Sequence, residues 1–243
     1  MSATHPLVAA AESLHRAVDR LSFADPVAFV YNPLDYAAGP HHEYLERFGS
    51  GKKRVVFCGM NPGPWGMTQT GIPFGEIAAV RDWMGIRTET LPPKEQHPKR
   101  PIEGFACTRS EVSGRRLWGL FAERFGKPER FFADHFVANY CPLVFLEQGG
   151  RNRTPDKLPV AESTPLTQAC DAHLRTVLET LQPDWVIGVG QYAEKRARII
   201  AESLEAPPRV GTILHPSPAS PAANRDWAGA ATRQMIDLGL WTP

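Results

Sequence analysis

Four short apolar runs, each near strand length, recur at residues 54–58, 136–139, 185–189 and 210–214. They are continuous rather than alternating, and a strand reads that way when both of its faces are buried, as in a parallel sheet covered by helices. Between them lie stretches of helical spacing. Residues 165–182 place Leu166, Cys170, Leu174, Val177, Leu178 and Leu181 on one stripe, and 113–125 do the same with Leu117, Leu120, Phe121 and Phe125. Residues 191–204 and 226–238 read as helices after the third and fourth runs, 74–84 as a helix after the first, and 6–23 as an amphipathic helix opening the chain. Strand then helix, repeated, predicts an α/β fold, a three-layer α/β/α sandwich with a central, mainly parallel four-stranded sheet. At 243 residues and 42% hydrophobic content, a single domain over 1–243 is expected, with residues 1–30 as an N-terminal helical segment packed on it. Residues 32–45 read as loop, 88–114 as a long proline-rich, charged connection, and 149–165 as a second irregular excursion.

Two of the strand ends run into loops of unusual composition. Residues 59–76, GMNPGPWGMTQTGIPFGE, hold three prolines and five glycines directly after the first apolar run. Proline fixes φ and glycine admits conformations that other residues avoid, so such a loop is shaped. The fourth run leads into HPSPASP, where His215 is the first polar side chain, framed by Pro216, Pro218 and Pro221. In an open α/β sheet the loops after the strand C-termini converge on one crevice. Asn61, Asn139 and His215 each lie at or just past a strand end, which predicts that they share that crevice. Each also has an ordinary reading: an asparagine stabilising a turn, a strand-end amide satisfied by its own loop, and a histidine capping a strand.

These two segments, with Asn139-Tyr140-Cys141-Pro142-Leu143 between them, resemble the single-strand-selective monofunctional branch of the uracil-DNA glycosylase superfamily, over the chain from about residue 31 onward. The resemblance implies a DNA glycosylase that flips uracil, and 5-hydroxymethyluracil or related deaminated bases, out of DNA and hydrolyses the N-glycosidic bond. It assigns Asn61 to the attacking water and His215 to the base oxygen that gains charge. Asn139 would read the base edge, Phe74 would stack on the base, and Met60, Gly63 and Met67 would complete the base pocket. Gly63 and Met67 match positions beside the uracil C5 edge. The residues that would enter the duplex are Pro216, Ser217, Pro218, Ala219 and Ser220. Family members usually carry an arginine where this chain has Ala219, which implies a weaker wedge and a preference for single-stranded or mispaired uracil.

Bulk charge is nearly balanced, 27 Lys and Arg against 26 Asp and Glu, so DNA as a partner demands a local basic face. Lys94, Lys99, Arg100, Arg109, Arg115, Arg116, Arg151 and Arg153 are its candidates. Four dispersed cysteines with no C-x-x-C pair argue against a metal or iron–sulfur site, and no cofactor is expected. No apolar run of spanning length occurs, so a cytoplasmic monomer that does not engage membranes is expected. Residues 186–196, VIGVGQYAEKR, echo a dinucleotide-binding turn but lack its third glycine. A non-catalytic reader of damaged or single-stranded DNA is the alternative to the enzyme.

Overall fold

The computed structural model describes residues 4–242. Nine helices are recognised among these residues: α1 (Pro6–Val18), α2 (Pro33–Tyr36), α3 (Ala38–Phe48), α4 (Met67–Thr70), α5 (Val112–Phe125), α6 (Pro128–Asp134), α7 (Val160–Leu181), α8 (Gln191–Ala201) and α9 (Pro221–Asp237). Seven strands accompany them: β1 (Val27–Tyr31), β2 (Val55–Gly59), β3 (His135–Asn139), β4 (Val144–Glu147), β5 (Asn152–Arg153), β6 (Trp185–Val189) and β7 (Arg209–Ile213). Strands β3-β2-β6-β7 form a wholly parallel sheet in that order. Every residue of β2 and β3 is buried, which explains their unbroken apolar reading. One group of helices, α5 and α6, meets Phe57 of β2 through Phe121 and Phe131. A second group, α1, α7 and α8, packs together, with α8 seated on β6 and β7. None of the described helices is long and apolar enough to cross a membrane.

The turn at residues 186–196 has a packing explanation. A Cβ at Gly188 would collide with the backbone of Glu194 on α8, so the glycine lets the helix lie close on the strand. Gly190 has φ 92°, and a Cβ there would come within 3.1 Å of the Cβ of His215. The Gly-x-Gly pattern therefore serves helix seating and the approach of His215, which accounts for its incomplete match to a dinucleotide loop.

Several elements depart from the sequence expectation. Residues 32–45 are helical, in α2 and α3, because Pro33 starts a helix that Asn32 caps through its side chain to the Leu34 amide (3.1 Å). Residues 27–30 are not helical but belong to β1, which pairs antiparallel with β4, and β4 with β5, in a second sheet of order β1-β4-β5. The opening helix stops at Val18 rather than continuing to residue 23. Helix α7 begins at Val160, five residues before Pro165, since a proline this near the N-terminus forgoes only one intrahelical bond. Helix α9 likewise starts at Pro221, with a break in helical φ/ψ at Asp226. The helix expected from residue 74 begins at Ile77 and includes a π-helical turn at Ala79–Trp83, and Phe74 stands outside it.

Candidate active site

The C-terminal ends of β2 and β3 lie side by side, with Gly59 in register with Asn139, and β7 ends two residues before His215. Over this edge opens a cleft of about 490 Å³. Asn61, Asn139, His215, Phe74, Met60, Gly63 and Met67 all line it, with Ser217 and Pro218 from the HPSPASP segment. Pro216, Ala219 and Ser220 lie outside the lining, and Pro218 and Ala219 are exposed.

Asn139 is the last residue of β3 and only 9% exposed. Its Nδ2 lies 3.3 Å from the sulfur of Met67, a weak acceptor, and its Oδ1 is buried with no partner in the protein. Leaving such a group unpaired costs about 1–3 kcal/mol. A donor and an unspent acceptor thus sit side by side in the cleft wall. Asn61 donates from Nδ2 to the carbonyl of Leu143 (3.1 Å), which turns the amide so that its oxygen is the end without a partner in the protein.

His215 is held through its backbone and its ring. The amide and carbonyl of the preceding Leu214 are both fixed by α9, by the Gln234 Oε1 (2.8 Å) and the Trp227 indole N–H (2.6 Å). The Ser217 amide donates to the imidazole Nδ1 (3.1 Å). Nδ1 is therefore the acceptor and the neutral ring carries its proton on Nε2. Burial pushes the imidazole below its ordinary value, so the ring is neutral near pH 7 and a hydrogen-bond donor at Nε2.

Phe74 packs obliquely with its ring centroid 6.3 Å from that of His215. Its φ is 54°, a costly conformation for a bulky residue. The strain is held by α5: the Trp118 indole donates to the carbonyl of Pro73 (3.2 Å), and Gly114 provides the space that a Cβ would take from the Phe74 carbonyl. A backbone held in a sparsely populated region at a cleft is a mark of function.

Three contributors, Glu111, Gln69 and Asn152, were not singled out from the sequence, and a fourth, Arg116, was expected only as part of a basic face. Glu111, from the far end of the proline-rich connection, brings a carboxylate against Gly63, where a Cβ would come within 2.7 Å of Oε2. Burial raises this carboxyl above its usual range, while the amides of Ser113 and Trp65 act in the opposite sense. The space beside Gly63, which the resemblance places at the uracil C5 edge, is thus bordered by an acid. Gln69 is fully buried and uses both ends of its amide: Nε2 donates to the carbonyls of Pro101 (2.9 Å) and Pro64 (3.2 Å), and Oε1 accepts from the amides of Glu103 (2.8 Å) and Gly104 (3.1 Å). It fastens the long connection to the glycine–proline loop. Asn152 adds a second amide to the cleft, with its Nδ2 reaching the carbonyl of Pro62 (3.4 Å). Arg116 joins three elements, donating from α5 to the Pro216 carbonyl and to the Asn224 side chain of α9, both at 2.9 Å. Only Gln69 had a local signal, by lying inside the shaped loop. Glu111 and Asn152 reach the cleft through long connections that no spacing rule predicts.

The chain matches the family model described as the uracil DNA glycosylase superfamily over residues 46–235. It is 48% identical over 227 residues to the single-strand selective monofunctional uracil-DNA glycosylase of Rattus norvegicus, covering 93% of this chain and 82% of the relative. This chain belongs to the single-strand-selective monofunctional branch of the uracil-DNA glycosylase superfamily. The similarly named proteins of Mus musculus and Bos taurus are 47% and 48% identical, over 93% and 91% of this chain and 81% of each relative. The solved structure of SMUG2 from Pedobacter heparinus shares the fold, with a TM-score of 0.62 at 17% identity over 95% of both chains. Among the described residues of this superfamily member, no cluster of three or more His, Cys, Asp or Glu is placed to hold a metal ion, and all four cysteines are buried free thiols.

Proposed function

We propose that this chain is a monofunctional DNA glycosylase that extrudes uracil from DNA and hydrolyses its N-glycosidic bond, leaving an abasic site. The observation that carries the reading is the unpaired, buried Oδ1 of Asn139 beside its own Nδ2 in the cleft that also holds Asn61 and His215. Uracil presents an N3–H donor and an O4 acceptor side by side, which that amide matches. Cytosine presents the reverse pattern and leaves both ends of the amide unmatched.

Bond cleavage drives negative charge onto the base, and His215 Nε2–H is the donor to O2. A preorganised donor of this kind lowers the barrier by about 3–4 kcal/mol. Being neutral and fixed at Nδ1, the ring needs no reorientation as the charge develops. Asn61 Oδ1 accepts a hydrogen bond from the attacking water and orients it toward the sugar carbon, while an amide is too weak a base to take its proton. Phe74 offers its ring to the extruded base, and its ring and the Asn139 amide oxygen both lie against Gly59. Among the described residues no lysine lines the cleft, in keeping with hydrolysis rather than strand cleavage through a covalent amine adduct.

Extrusion costs a few kcal/mol. The exposed tip of the HPSPASP segment is Ala219, whose methyl cannot fill the vacated stack. Single-stranded uracil is therefore the better substrate. The test is base release from matched oligonucleotides carrying one uracil, single-stranded and paired with adenine, analysed with and without alkali. The expected products are free uracil and alkali-dependent strand breaks, faster from the single strand. Strand breaks without alkali, or no uracil released, would contradict the reading.

A further inference from the structure

We infer that the phosphates flanking the extruded nucleotide on one side run over a basic rim built around Trp65, formed by Lys99, Arg100, Arg109 and Arg151. This surface rests on the glycosylase reading for its ligand but not for its existence. Trp65 lines the cleft, and the guanidinium carbons of Arg100 and Arg109 lie 5.2 and 5.4 Å from its ring centroid. Attraction to the ring face keeps both cations at the cleft mouth.

The rim is built on buried anchors. Tyr31, at the end of β1, donates from its hydroxyl to the carbonyl of Arg100 and accepts from the amide of His97, both at 2.7 Å. His97 is 1% exposed; its Nδ1 accepts from the Lys99 amide (3.0 Å) and its Nε2–H donates to the carbonyl of Gln148 (3.1 Å). Arg100 then donates from Nε to the carbonyl of Gly150 (3.0 Å). Three segments distant in sequence, 97–101, 107–111 and 149–153, are thereby brought to one edge of the cleft. The small antiparallel sheet joins 97–101 to 149–153, and the Arg109 contact with Trp65 brings in 107–111.

The charge balance favours a polyanion. Arg153 is paired with Glu147 (3.1 Å) and Arg116 is spent on Pro216 and Asn224, so neither counts. Lys99, Arg100, Arg109 and Arg151 form no salt bridge among the described residues, and Lys99, Arg109 and Arg151 are exposed. Of the acids flanking these segments, Glu95 and Glu103 are exposed, and Glu111 is turned inward against Gly63 and Gly66. A nearly neutral chain thus concentrates unpaired cations beside the cleft, which suits backbone contact to a nucleic acid strand.

The test is the salt dependence of binding to a labelled, uracil-free single-stranded oligonucleotide. Each phosphate contact on a single strand contributes about −0.7 to the slope of log K against log salt. The double variant Arg100→Ala/Arg109→Ala should flatten the slope by about 1.4. Because Arg100 also bonds Gly150, Lys99→Ala/Arg151→Ala provides a second pair whose side chains make no internal bond, with the same expected loss. Lys52→Ala/Arg54→Ala, at the opposite end of β2, should leave the slope unchanged. If neither rim pair changes the slope, or the Lys52/Arg54 pair changes it equally, the rim is overturned. Uracil release by the unaltered protein tests the glycosylase reading separately: rim slopes that fall while no uracil is released would leave the surface standing and remove the enzyme.

Discussion

At the scale of single residues, the site trades stability for recognition. Asn139 ends a fully buried strand with an amide oxygen that nothing in the protein satisfies. Asn139→Ala should therefore lower kcat/KM on uracil DNA by roughly 5- to 150-fold, the equivalent of about 1–3 kcal/mol, while leaving the urea midpoint unchanged or raised. Unchanged kcat/KM with a lower midpoint would make the residue purely structural. Glu111 allows a second prediction. Its carboxylate borders Gly63, and an ionised or protonated carboxyl can accept a bond from the hydroxyl of 5-hydroxymethyluracil. Glu111→Ala should reduce excision of that base relative to uracil, read as the ratio of kcat/KM values on single-stranded oligonucleotides; an unchanged ratio would remove Glu111 from base selection. Asn61, Asn139 and His215 were legible because each ends an apolar run whose strand identity is itself legible. Glu111 and Asn152 were not, because burial against a distant loop leaves no periodic trace.

At the scale of elements, α5 and α9 act as a frame that holds the two functional loops. Arg116 on α5 grips the Pro216 carbonyl, and Asn224 on α9 donates to the carbonyl of Pro218 (2.8 Å). These contacts fix the backbone on either side of Ser217, whose amide orients His215. Arg116→Ala should lower kcat about tenfold, the equivalent of about 1.4 kcal/mol, with KM little changed, and Arg116→Lys should recover only part of it because one ammonium lacks the guanidinium fork. A loss confined to KM would indicate a DNA contact instead. Gly114 is the other point of contact, since any Cβ there would meet the Phe74 carbonyl. Gly114→Ala should destabilise the fold by about 1–3 kcal/mol through overpacking. The sequence read α5 correctly as a helix with an apolar stripe. It could not show that the polar side of that helix, through Arg116, carries the brace.

At the scale of the whole molecule, the parallel sheet was readable because β2 and β6 and the middle of β3 are continuous apolar runs, whereas the small sheet was not. Strand β5 has two residues and β4 four, too short to stand apart from loop, and the apolar run of β1 falls within the segment expected to be helical. Yet that sheet carries Tyr31 and so fixes the basic connection to the cleft. Buried histidines give the molecule a pH dependence. His41 and His135, which are buried, and the half-buried His173 are each lowered by loss of hydration to about 4. Their unfolded values lie near ~6.5, so between those limits the unfolded chain binds more protons and stability rises with pH. The urea midpoint should fall as pH is lowered from 7 towards 4.5, with net proton uptake on unfolding; a flat profile would contradict neutral buried imidazoles. The central claim is that one donor on a fixed imidazole, in a cleft that reads uracil, drives bond cleavage. Its most direct test is single-turnover uracil release by the unaltered protein and by His215→Ala on the same single-stranded oligonucleotide, at saturating enzyme. A loss of about 10²- to 10³-fold in His215→Ala, with DNA affinity retained, is expected. Equal rates in the two proteins would contradict it.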